Sequence, residues 1–326
     1  MNKVEIRDLS DLQLKSIRDG FGEGLLMNAE KNPDIVALSA DLTESVRMHW
    51  FADKYKERFF QTGICEQNMA GVAAGMALSG KIPFIGSFAN FSPGRNYDQI
   101  RTSICMMNAN VKIASSHAGF SYGEDGISVQ MLEDIAMMRA LPNMTVIVPA
   151  DAYQASQAVS ASLAVDGPVY LRLGRAESPL IFADNSEFIL GQAQLLREGL
   201  DVLIISTGYL VFRSLLAADY LHKQGVEAAV MNIHTIKPLD ESAILSYASK
   251  TCAVVVAEEA QMYGGLGGAV AELFAKKLPL PIEMVSVADR FGESATSLEL
   301  HKKHNLMEDD IVSAANRAIT RKVNCP

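Results

Sequence analysis

The sequence lacks long hydrophobic runs and paired cysteine motifs, and these absences exclude several classes of protein. No apolar run approaches the length of about 18 residues that a membrane-spanning helix needs, and no N-terminal stretch joins a basic region to the apolar core of a signal peptide. The cysteines show no CxxC spacing, and the histidines show no metal-ligand spacing. The four cysteines are Cys65, Cys105, Cys252 and Cys325. We therefore expect free thiols in a reducing cytoplasm, no membrane partner, and no metal site in this chain.

Basic residues are also in deficit. The 29 Lys and Arg residues face 38 Asp and Glu residues, which gives a net charge of −9 and a pI near 5.2. Nucleic acid is therefore not expected as a partner, although this balance is compatible with a local basic pocket for a phosphate. Apolar side chains, in contrast, are abundant at 49% of the residues, which is enough for large cores. A chain of 326 residues predicts about two domains.

Apolar β-rich runs alternate with helical stretches along the whole chain, which predicts βαβ units on parallel sheets. The run 144–148, Met-Thr-Val-Ile-Val, is typical of a strand with both faces covered. The periodicity fades between residues 174 and 200, so we expect a domain boundary there. The predicted fold class is α/β with two doubly wound domains, a mostly parallel first domain followed by a smaller second one.

A carboxylate, Glu66, stands where a short strand ends near Gly63 and a helix begins. The run 70–80 that follows is built mainly from Ala, Gly, Val, Met and Leu, so we expect this helix to be buried almost all round. The ordinary interpretation of Glu66 is an acid that interacts with the helix dipole, which is worth about 0.3–1 kcal/mol. The alternative is a functional acid at the carboxyl end of a parallel strand, where open α/β sheets bind ligands. Position alone leaves both interpretations open.

Two other strand ends carry unusual side chains. Phe88 and Phe91 stand beside Gly, Ser and Pro after the strand predicted at 82–88. Two aromatic residues at this spacing are more often core than a ligand platform. Arg172 and Arg175 leave the end of another strand, where they are either solvated charges or a phosphate clamp.

Two glycine-punctuated stretches complete the candidates. The loop 115–130 holds His117, Glu124 and Asp125, and its length for an α/β connection indicates function. The stretch 263–268, Tyr-Gly-Gly-Leu-Gly-Gly, follows a predicted strand but does not fit the GxGxxG pattern of a dinucleotide site. A tight strand-to-helix turn is the better interpretation of that stretch.

Taken together, these residues resemble the transketolase family of thiamine-diphosphate enzymes, specifically its pyrimidine-binding domain followed by its C-terminal domain. The resemblance covers about residues 10–320 and rests on six motifs in the family's order. They are SADLTES at 39–45, GICEQNM at 63–69, FANF at 88–91, HAGFSYGEDG at 117–126, LPNMTVIVPAD at 141–151 and IKPLD at 236–240. The resemblance implies a pyrimidine-binding domain over 1–190 and a C-terminal domain over 191–326, as in the C-terminal half of a transketolase encoded as a separate subunit.

The resemblance implies a catalytic and cofactor-binding role for Glu66. The matching Glu of the family hydrogen-bonds N1′ of the pyrimidine of thiamine diphosphate and drives the 4′-amino group towards its imino form. That nitrogen removes the thiazolium C2 proton, and the resulting carbanion attacks a ketose carbonyl. A carboxyl group in a dry site suits this task. Phe91 and Phe88 match aromatic residues that stack on the pyrimidine, and Asp41 matches a residue close to the cofactor.

The resemblance also implies a sugar-binding site and a reaction. His117, as a second catalytic residue, and Asp125 match positions that contact substrate hydroxyl groups. The positions that grip the sugar phosphate are matched by Arg18, Ser45 and Arg175, with Arg172 as a substitute for Arg175. The implied reaction is the transfer of a two-carbon ketol unit, a glycolaldehyde group, between sugar phosphates.

Two positions depart from the family's pattern. Val129 stands where the family usually has a His shortly after GEDG, and Gly94 stands where it has a third aromatic residue, with Tyr97 as a shifted candidate. A His that hydrogen-bonds a sugar donor cannot be replaced by Val without loss of that contact. An unusual donor is therefore expected.

The family binds its Mg²⁺ or Ca²⁺ ion and the diphosphate through a Gly-Asp-Gly segment followed by an Asn, and no Gly-Asp-Gly occurs in this chain. A hard cation and a diphosphate need several oxygen and N–H ligands together. The resemblance therefore implies a partner, an N-terminal transketolase subunit that carries the Gly-Asp-Gly domain and the metal ion. Thiamine diphosphate is then shared between the two chains, most simply in an α2β2 assembly.

Two other functions stay open. A subunit similar to deoxyxylulose-phosphate synthase or to the E1β chain of 2-oxo-acid dehydrogenases shares the domain order and the Glu but runs a decarboxylation; the GEDG loop favours the transketolase side. A non-catalytic homologue that acts as a scaffold belongs to another class. Retention of Glu66 and His117 counts against a scaffold, whereas Val129 and Gly94 favour it.

Overall fold

Strands and helices alternate along the chain in the computed structural model, which describes residues 4–322. The strands are β1 (Leu14–Ser16), β2 (Ile35–Ser39), β3 (Phe59–Gln61), β4 (Ile82–Phe88), β5 (Lys112–Ser116), β6 (Thr145–Ile147), β7 (Val169–Arg172), β8 (Glu177–Pro179), β9 (Gln194–Arg197), β10 (Val202–Ser206), β11 (Ala228–Asn232), β12 (Thr235–Lys237), β13 (Val254–Gln261) and β14 (Ile282–Val287). The helices are α1 (Ile17–Lys31), α2 (His49–Lys54), α3 (Glu66–Leu78), α4 (Tyr97–Gln99), α5 (Asp134–Ala140), α6 (Ala152–Ser162), α7 (Leu210–Lys223), α8 (Glu241–Thr251), α9 (Leu266–Lys277), α10 (Ser297–Lys303) and α11 (Glu308–Thr320). A 3-10 turn at Lys56–Arg58 and a π-helical segment at Ile100–Cys105 lie between them.

The first sheet has seven strands in the order β12-β6-β7-β5-β4-β2-β3. All of its neighbouring strands are parallel except β12, which pairs antiparallel with β6. The second sheet has the order β14-β13-β10-β11-β9, in which only β9 is antiparallel to its neighbour. The α/β class and the two mostly parallel sheets confirm the predicted fold.

The first sheet is covered on both faces, as a parallel sheet must be. Alternate residues of β2 show this directly: Ile35 and Ala37 pack with helices α1 and α6, whereas Val36 and Leu38 pack with helix α3. A strand that is apolar on both faces reads as a continuous apolar run. For this reason the strand predicted at 82–88 coincides with β4.

Short antiparallel strands are the elements that the sequence pattern did not predict. β1 pairs with β8 outside both sheets, and β12 comes from the second half of the chain but forms the edge of the first sheet. Three-residue strands contain too few residues for a period of two to be recognised. Because of β12 the two halves of the chain are interlocked, and the boundary near residue 190 stays a prediction.

The cysteines correct one expectation in part. Cys65 and Cys105 are free thiols, as predicted, but Cys252 is disulfide-bonded, so the prediction of a free thiol is wrong there. Cys325 lies outside the described residues. Within residues 4–322 no helix is both long and apolar enough to cross a membrane.

Candidate functional site

The candidate residues gather at one edge of the first sheet. Five neighbouring parallel strands, β7, β5, β4, β2 and β3, end at this edge, and the chain leaves each of them through a candidate loop. The residues that follow these ends are Arg175, His117, Phe91, Asp41 and Ser45, and Glu66. The carboxyl ends of parallel strands are the usual ligand-binding edge of an α/β sheet, so the topology brings together what is distant in sequence.

Glu66 is the first residue of helix α3, and only 1% of its surface is exposed. Its carboxylate Oε2 accepts a hydrogen bond from Nη1 of Arg95 at 2.8 Å. The backbone carbonyl of Glu66 is held by the side-chain amide of Asn96 at 3.1 Å. A buried carboxylate requires a partner, and here a side chain that is itself 47% exposed provides it. Glu66 is thus fixed by its backbone, while the partner of its carboxylate can be exchanged.

Helix α3 is not buried almost all round, and that prediction is wrong for this chain. Its inner face packs on the sheet, but Asn68, Gly71, Val72 and Gly75 are exposed, as is Leu78 at 62%. These positions recur at helical spacing and form one face, on which all residues except Asn68 are small or apolar. Small and apolar residues occupy both faces of the helix. Composition alone therefore does not tell which face packs against the rest of this chain.

An aromatic cluster lies beside Glu66. The rings of Phe88 and Phe91 are stacked, with centroids 5.9 Å apart, and the His117 ring is 3.7 Å from Phe88. Tyr122 packs edge-on against His117 at 4.7 Å. Phe88 is buried in the core, whereas Phe91 is partly exposed. The core interpretation therefore holds for Phe88, whereas Phe91 keeps part of its surface accessible.

Gly94 explains why the third aromatic residue of the family's pattern is absent at position 94. A Cβ at Gly94 would lie 2.1 Å from the carbonyl oxygen of Asn90, so no side chain fits this turn. The shifted candidate Tyr97 packs against the hydrophobic core instead. The guanidinium group of Arg95 lies over the ring of Phe91, 4.5 Å from its centroid. A cation therefore occupies the neighbourhood in which the resemblance expects an aromatic side chain.

His117 is buried in a strained backbone conformation, with φ of 61°. Burial, and then the charges of Arg18, Arg175 and Arg47, lower its pKa to about 2, so the ring is neutral at physiological pH. Nε2 faces Nη1 of Arg18 at 3.4 Å, and Nδ1 lies 2.8 Å from the Ser116 hydroxyl. Because a guanidinium group can only donate, the proton is assigned to Nδ1, and Nε2 is an acceptor.

Arginine side chains surround His117. Arg18 donates from Nη1 to the backbone carbonyl of Ser45 at 2.7 Å, while its buried Nε has no partner within residues 4–322. Burial, followed by the charge of Arg47, lowers the pKa of Arg18 to about 10. Arg175 lies over Tyr122 at 4.5 Å and approaches Glu124 at 3.9 Å. An N–H group without a partner in a positively charged pocket is suited to an anionic ligand.

Sequence reasoning missed Arg47 and Tyr122 at this site. Arg47 forms an ion pair with Asp19, beside Arg18 on helix α1. The hydroxyl group of Tyr122 bonds to the Asp125 carboxylate, which raises the pKa of Tyr122. Tyr122 stands inside the motif 117–126 and Arg47 stands two residues after the motif 39–45, so closeness to these motifs was the available signal.

Asp41 is the candidate least connected to the others. Its backbone φ is 64°, and its N–H donates to the side chain of Gln61 at 2.8 Å. No contact of its carboxylate with the other candidates is recorded within the described part of the chain. Asp41, Arg47 and His117 all have positive φ, and strained non-glycine residues of this kind cluster at functional sites.

Arg172 is not part of the anion pocket, which corrects its assignment as a substitute for Arg175. Its Nε donates to Asp134 at 2.8 Å, and its Nη2 donates to the backbone carbonyl of Glu259 at 2.8 Å. The Glu259 carboxylate accepts the Phe120 N–H at 2.8 Å. Burial raises the pKa of this carboxyl group, but His301, Arg172 and the Phe120 N–H outweigh burial and lower it. Arg172 therefore joins the two halves of the chain instead of facing a ligand.

The glycine-rich stretch 263–268 is a closed turn, as interpreted from the sequence. Both oxygens of the buried Glu258 accept backbone N–H groups, from Leu266 at 2.7 Å and from Gly267 at 2.8 Å. A Cβ at Gly265 would lie 2.2 Å from Glu258 Oε2, so glycine is required there. This helix N-terminus already has its anion and offers nothing to a dinucleotide phosphate.

The site fits one half of thiamine diphosphate. A buried carboxylate with an exchangeable partner and a partly exposed aromatic face suit an aminopyrimidine ring. Among residues 4–322 no group of three or more His, Cys, Asp or Glu side chains can hold a metal ion.

Comparisons with known proteins agree with this geometry. The family described as "Transketolase, pyrimidine binding domain" matches residues 14–179, and "Transketolase, C-terminal domain" matches residues 191–311. The "6-deoxy-6-sulfo-D-fructose transketolase subunit SqwH" of Clostridium sp. (strain MSTE9) is 44% identical over 306 residues, 94% of this chain and 95% of that protein.

Two further relatives are similar in sequence and length. The "Putative transketolase C-terminal section" of Methanocaldococcus jannaschii is 41% identical over 91% of this chain and 94% of that protein. A solved structure described as "Split gene transketolase, inactive beta4 tetramer" is 43% identical, with a TM-score of 0.89 over 94% of this chain and 99% of that chain. The similarity therefore extends over nearly the whole length of each relative.

Proposed function

Since the chain belongs to the transketolase family, we propose that it is the subunit that supplies the pyrimidine half of a thiamine-diphosphate site. In this proposal it transfers a two-carbon ketol unit between sugar substrates together with a partner subunit. The observation that carries the proposal is the buried Glu66 carboxylate at a strand's carboxyl end, near the partly buried ring of Phe91. When bound, thiamine diphosphate supplies the carbanion that breaks and forms the carbon–carbon bonds.

Each side chain of the cofactor half has a separate task. Glu66 exchanges a proton at the pyrimidine N1′, and its burial keeps water away from that hydrogen bond. Phe91 stacks on the pyrimidine ring, while Phe88 supports Phe91 from the core. Asp41, whose backbone φ is 64°, contacts the cofactor in this proposal, as the resemblance implies.

The substrate half lies on the other side of the aromatic cluster. His117, neutral and with Nε2 as an acceptor, can exchange the long contact with Arg18 for a hydrogen bond from a sugar hydroxyl, and Asp125 can accept another. Arg18, Ser45 and Arg175 form the end that binds the anionic group of the sugar. Because the Nε of Arg18 has no partner among the described residues, its N–H can donate a hydrogen bond to a phosphate or a sulfonate oxygen.

A partner subunit completes the site in this proposal. It contributes the Gly-Asp-Gly domain, the Mg²⁺ or Ca²⁺ ion and the contacts to the diphosphate. Two observations support it: the exposed apolar face of helix α3, which Glu66 begins, and the relatives described as a split-gene transketolase and as a C-terminal section. An α2β2 assembly places one such face against each partner.

A donor assay tests the reaction. The chain is combined with its cognate N-terminal subunit, thiamine diphosphate and Mg²⁺, and ketol transfer from a ketose phosphate, a sulfonated ketose and pyruvate is measured with an aldose acceptor. Transfer from an anionic ketose without release of CO₂ is expected. Turnover of pyruvate alone supports the synthase-like alternative, and inactivity on all three donors supports a scaffold.

The requirement for a partner has its own measurement. Calorimetric titration of the isolated chain with thiamine diphosphate and Mg²⁺ is expected to give weak binding, and addition of the partner is expected to make it tight. Tight binding by the isolated chain would overturn the shared site without touching the family assignment.

A further inference from the structure

Arg95 makes two contacts at once in the cofactor half of the site. Its Nη1 donates to the Glu66 carboxylate at 2.8 Å, and its guanidinium carbon lies 4.5 Å from the centroid of the Phe91 ring. These are the two groups that the proposed function assigns to the pyrimidine, one by a hydrogen bond and one by stacking. No other side chain within residues 4–322 is recorded in contact with both.

The two contacts match those that an aminopyrimidine would make. A guanidinium group is planar, stacks on aromatic faces and presents N–H donors in its plane. A protonated or imino aminopyrimidine is also planar and presents N–H donors at its edge. One carboxylate and one ring face cannot satisfy both groups together, so the guanidinium group and the pyrimidine compete for them.

The local backbone explains how Arg95 reaches this position. The turn through Gly94 is closed by a hydrogen bond from its N–H to the Ala89 carbonyl at 3.2 Å, and the Arg95 N–H bonds back to the Phe91 carbonyl at 3.1 Å. The Arg95 carbonyl accepts the side-chain amide of Gln67 at 3.3 Å. The backbone is anchored on both sides, but the side chain is 47% exposed, so the guanidinium group can leave without a change of fold.

We propose that Arg95 is an internal ligand of the cofactor half-site. In the free subunit it pairs with Glu66 and covers Phe91, and the pyrimidine displaces it when the site is completed. The proposal rests on the proposed function, since it assigns an occupant to the same two groups. It also explains how the free chain tolerates a buried Glu66 carboxylate before a cofactor is present.

Binding of thiamine to the isolated chain tests the competition. Thiamine carries the pyrimidine without the diphosphate, so it does not need the partner's half of the site. Arg95→Ala is expected to bind thiamine about tenfold more tightly than the unchanged chain. This factor follows if Arg95 occupies the site in about nine tenths of the free molecules, because only the remaining tenth can then bind thiamine. Arg101→Ala, an exposed arginine on the neighbouring segment, is the matched control and is expected to change nothing.

Thermal unfolding of the free chain is the second readout. Arg95→Ala is expected to lower the melting temperature because it leaves Glu66 without its partner, and the double variant Arg95→Ala/Glu66→Gln is expected to recover most of that loss. Recovery attributes the loss to the unpaired Glu66 carboxylate, and no recovery would show that Arg95 stabilises the fold through other contacts.

The outcomes separate this proposal from the proposed function. If Arg95→Ala binds thiamine no more tightly than the unchanged chain, or binds none measurably, the internal ligand is overturned. If Glu66→Gln leaves thiamine-diphosphate affinity and ketol transfer of the assembled enzyme intact, the proposed function itself fails. Tighter thiamine binding by Arg95→Ala together with recovery in the double variant supports the proposal.

Discussion

Two buried glutamates at helix N-termini behave differently in this chain. Glu258 gives both carboxylate oxygens to backbone N–H groups of helix α9, and burial raises the pKa of this carboxyl group. Glu66 begins helix α3 and gives one oxygen to the half-exposed side chain of Arg95. Backbone partners cannot leave without unfolding the helix, whereas an exposed side chain can. The first arrangement is structural, and the second leaves a carboxylate available for a ligand.

The substitution Glu66→Gln is expected to have the largest effect on activity. If Glu66 exchanges a proton with the cofactor, its loss lowers kcat of the assembled enzyme by about 10²–10⁴-fold, the usual contribution of a general acid–base group. The melting temperature of the chain is expected to change little, since Arg95 is exposed enough to be solvated alone. Steady-state kinetics of the assembled enzyme gives the first quantity, and circular dichroism gives the second. Full activity of the variant would show that Glu66 only interacts with the helix dipole and has no catalytic role.

Glu258→Ala is expected to show the reverse behaviour. It leaves two buried backbone N–H groups without acceptors, which costs about 1–3 kcal/mol each. The free energy of unfolding, from urea titration, is therefore expected to fall by about 2–6 kcal/mol. The affinity of the folded fraction for thiamine diphosphate in the assembled enzyme should be unchanged. A loss of cofactor affinity without a loss of stability would contradict the assignment of Glu258 as structural and Glu66 as functional.

Arg18→Met tests the anionic end of the site, and we expect a smaller effect than for Glu66. Hydrogen bonds to charged groups are worth about 1.5–3 kcal/mol, so kcat/KM for a phosphorylated or sulfonated donor is expected to fall by about 10–150-fold. A donor without an anionic group should be affected far less. Equal losses with both kinds of donor would show that Arg18 orders the loop around His117 and does not bind the anion.

The low pKa of His117 predicts a dependence of stability on pH. Its folded value, about 2, lies below the unfolded value near 6.5. Between these values the unfolded chain binds the additional proton, so stability decreases as the pH falls below about 6.5, by up to about 1.4 kcal/mol per pH unit from this group. His117→Gln is expected to make the slope of unfolding free energy against pH shallower. An unchanged slope in the His117→Gln variant would contradict this prediction.

The sequence predicted the fold where a strong pattern was present. Strand β4 lies where the apolar run 82–88 predicts it, because a buried strand selects apolar residues along its whole length. Strand β12 was missed since three residues carry no period, and its pairing with β6 depends on the distant half of the chain.

The candidate site was predicted by motif, and its details were not. Arg172 and Arg175 look alike in sequence, yet one ends in a buried ion pair with Asp134 and the other over Tyr122. Strand alternation does not predict which face of the sheet each side chain lies on, because the sequence locates the end of the strand only within a few residues. Arg95 had no signal of its own, because its role depends on the Gly94 turn that places it at Glu66.

Val129→His is expected to give the smallest effect. It tests the substrate-binding side of the site, whereas the two glutamates test the cofactor-binding side. Val129 is partly buried in the loop that carries Asp125, and its N–H closes a turn onto the Gly126 carbonyl at 3.2 Å. A His there restores a hydrogen-bond donor that the family places near the sugar. A neutral hydrogen bond is worth about 0.5–1.5 kcal/mol, so kcat/KM with ordinary ketose phosphates is expected to rise by about 2–10-fold. Val129→Ala, which removes bulk without adding a donor, is the control. A rise in both variants would attribute the gain to space, and no rise in either would mean that Val129 does not determine the choice of donor, which would then depend on the arginines around His117.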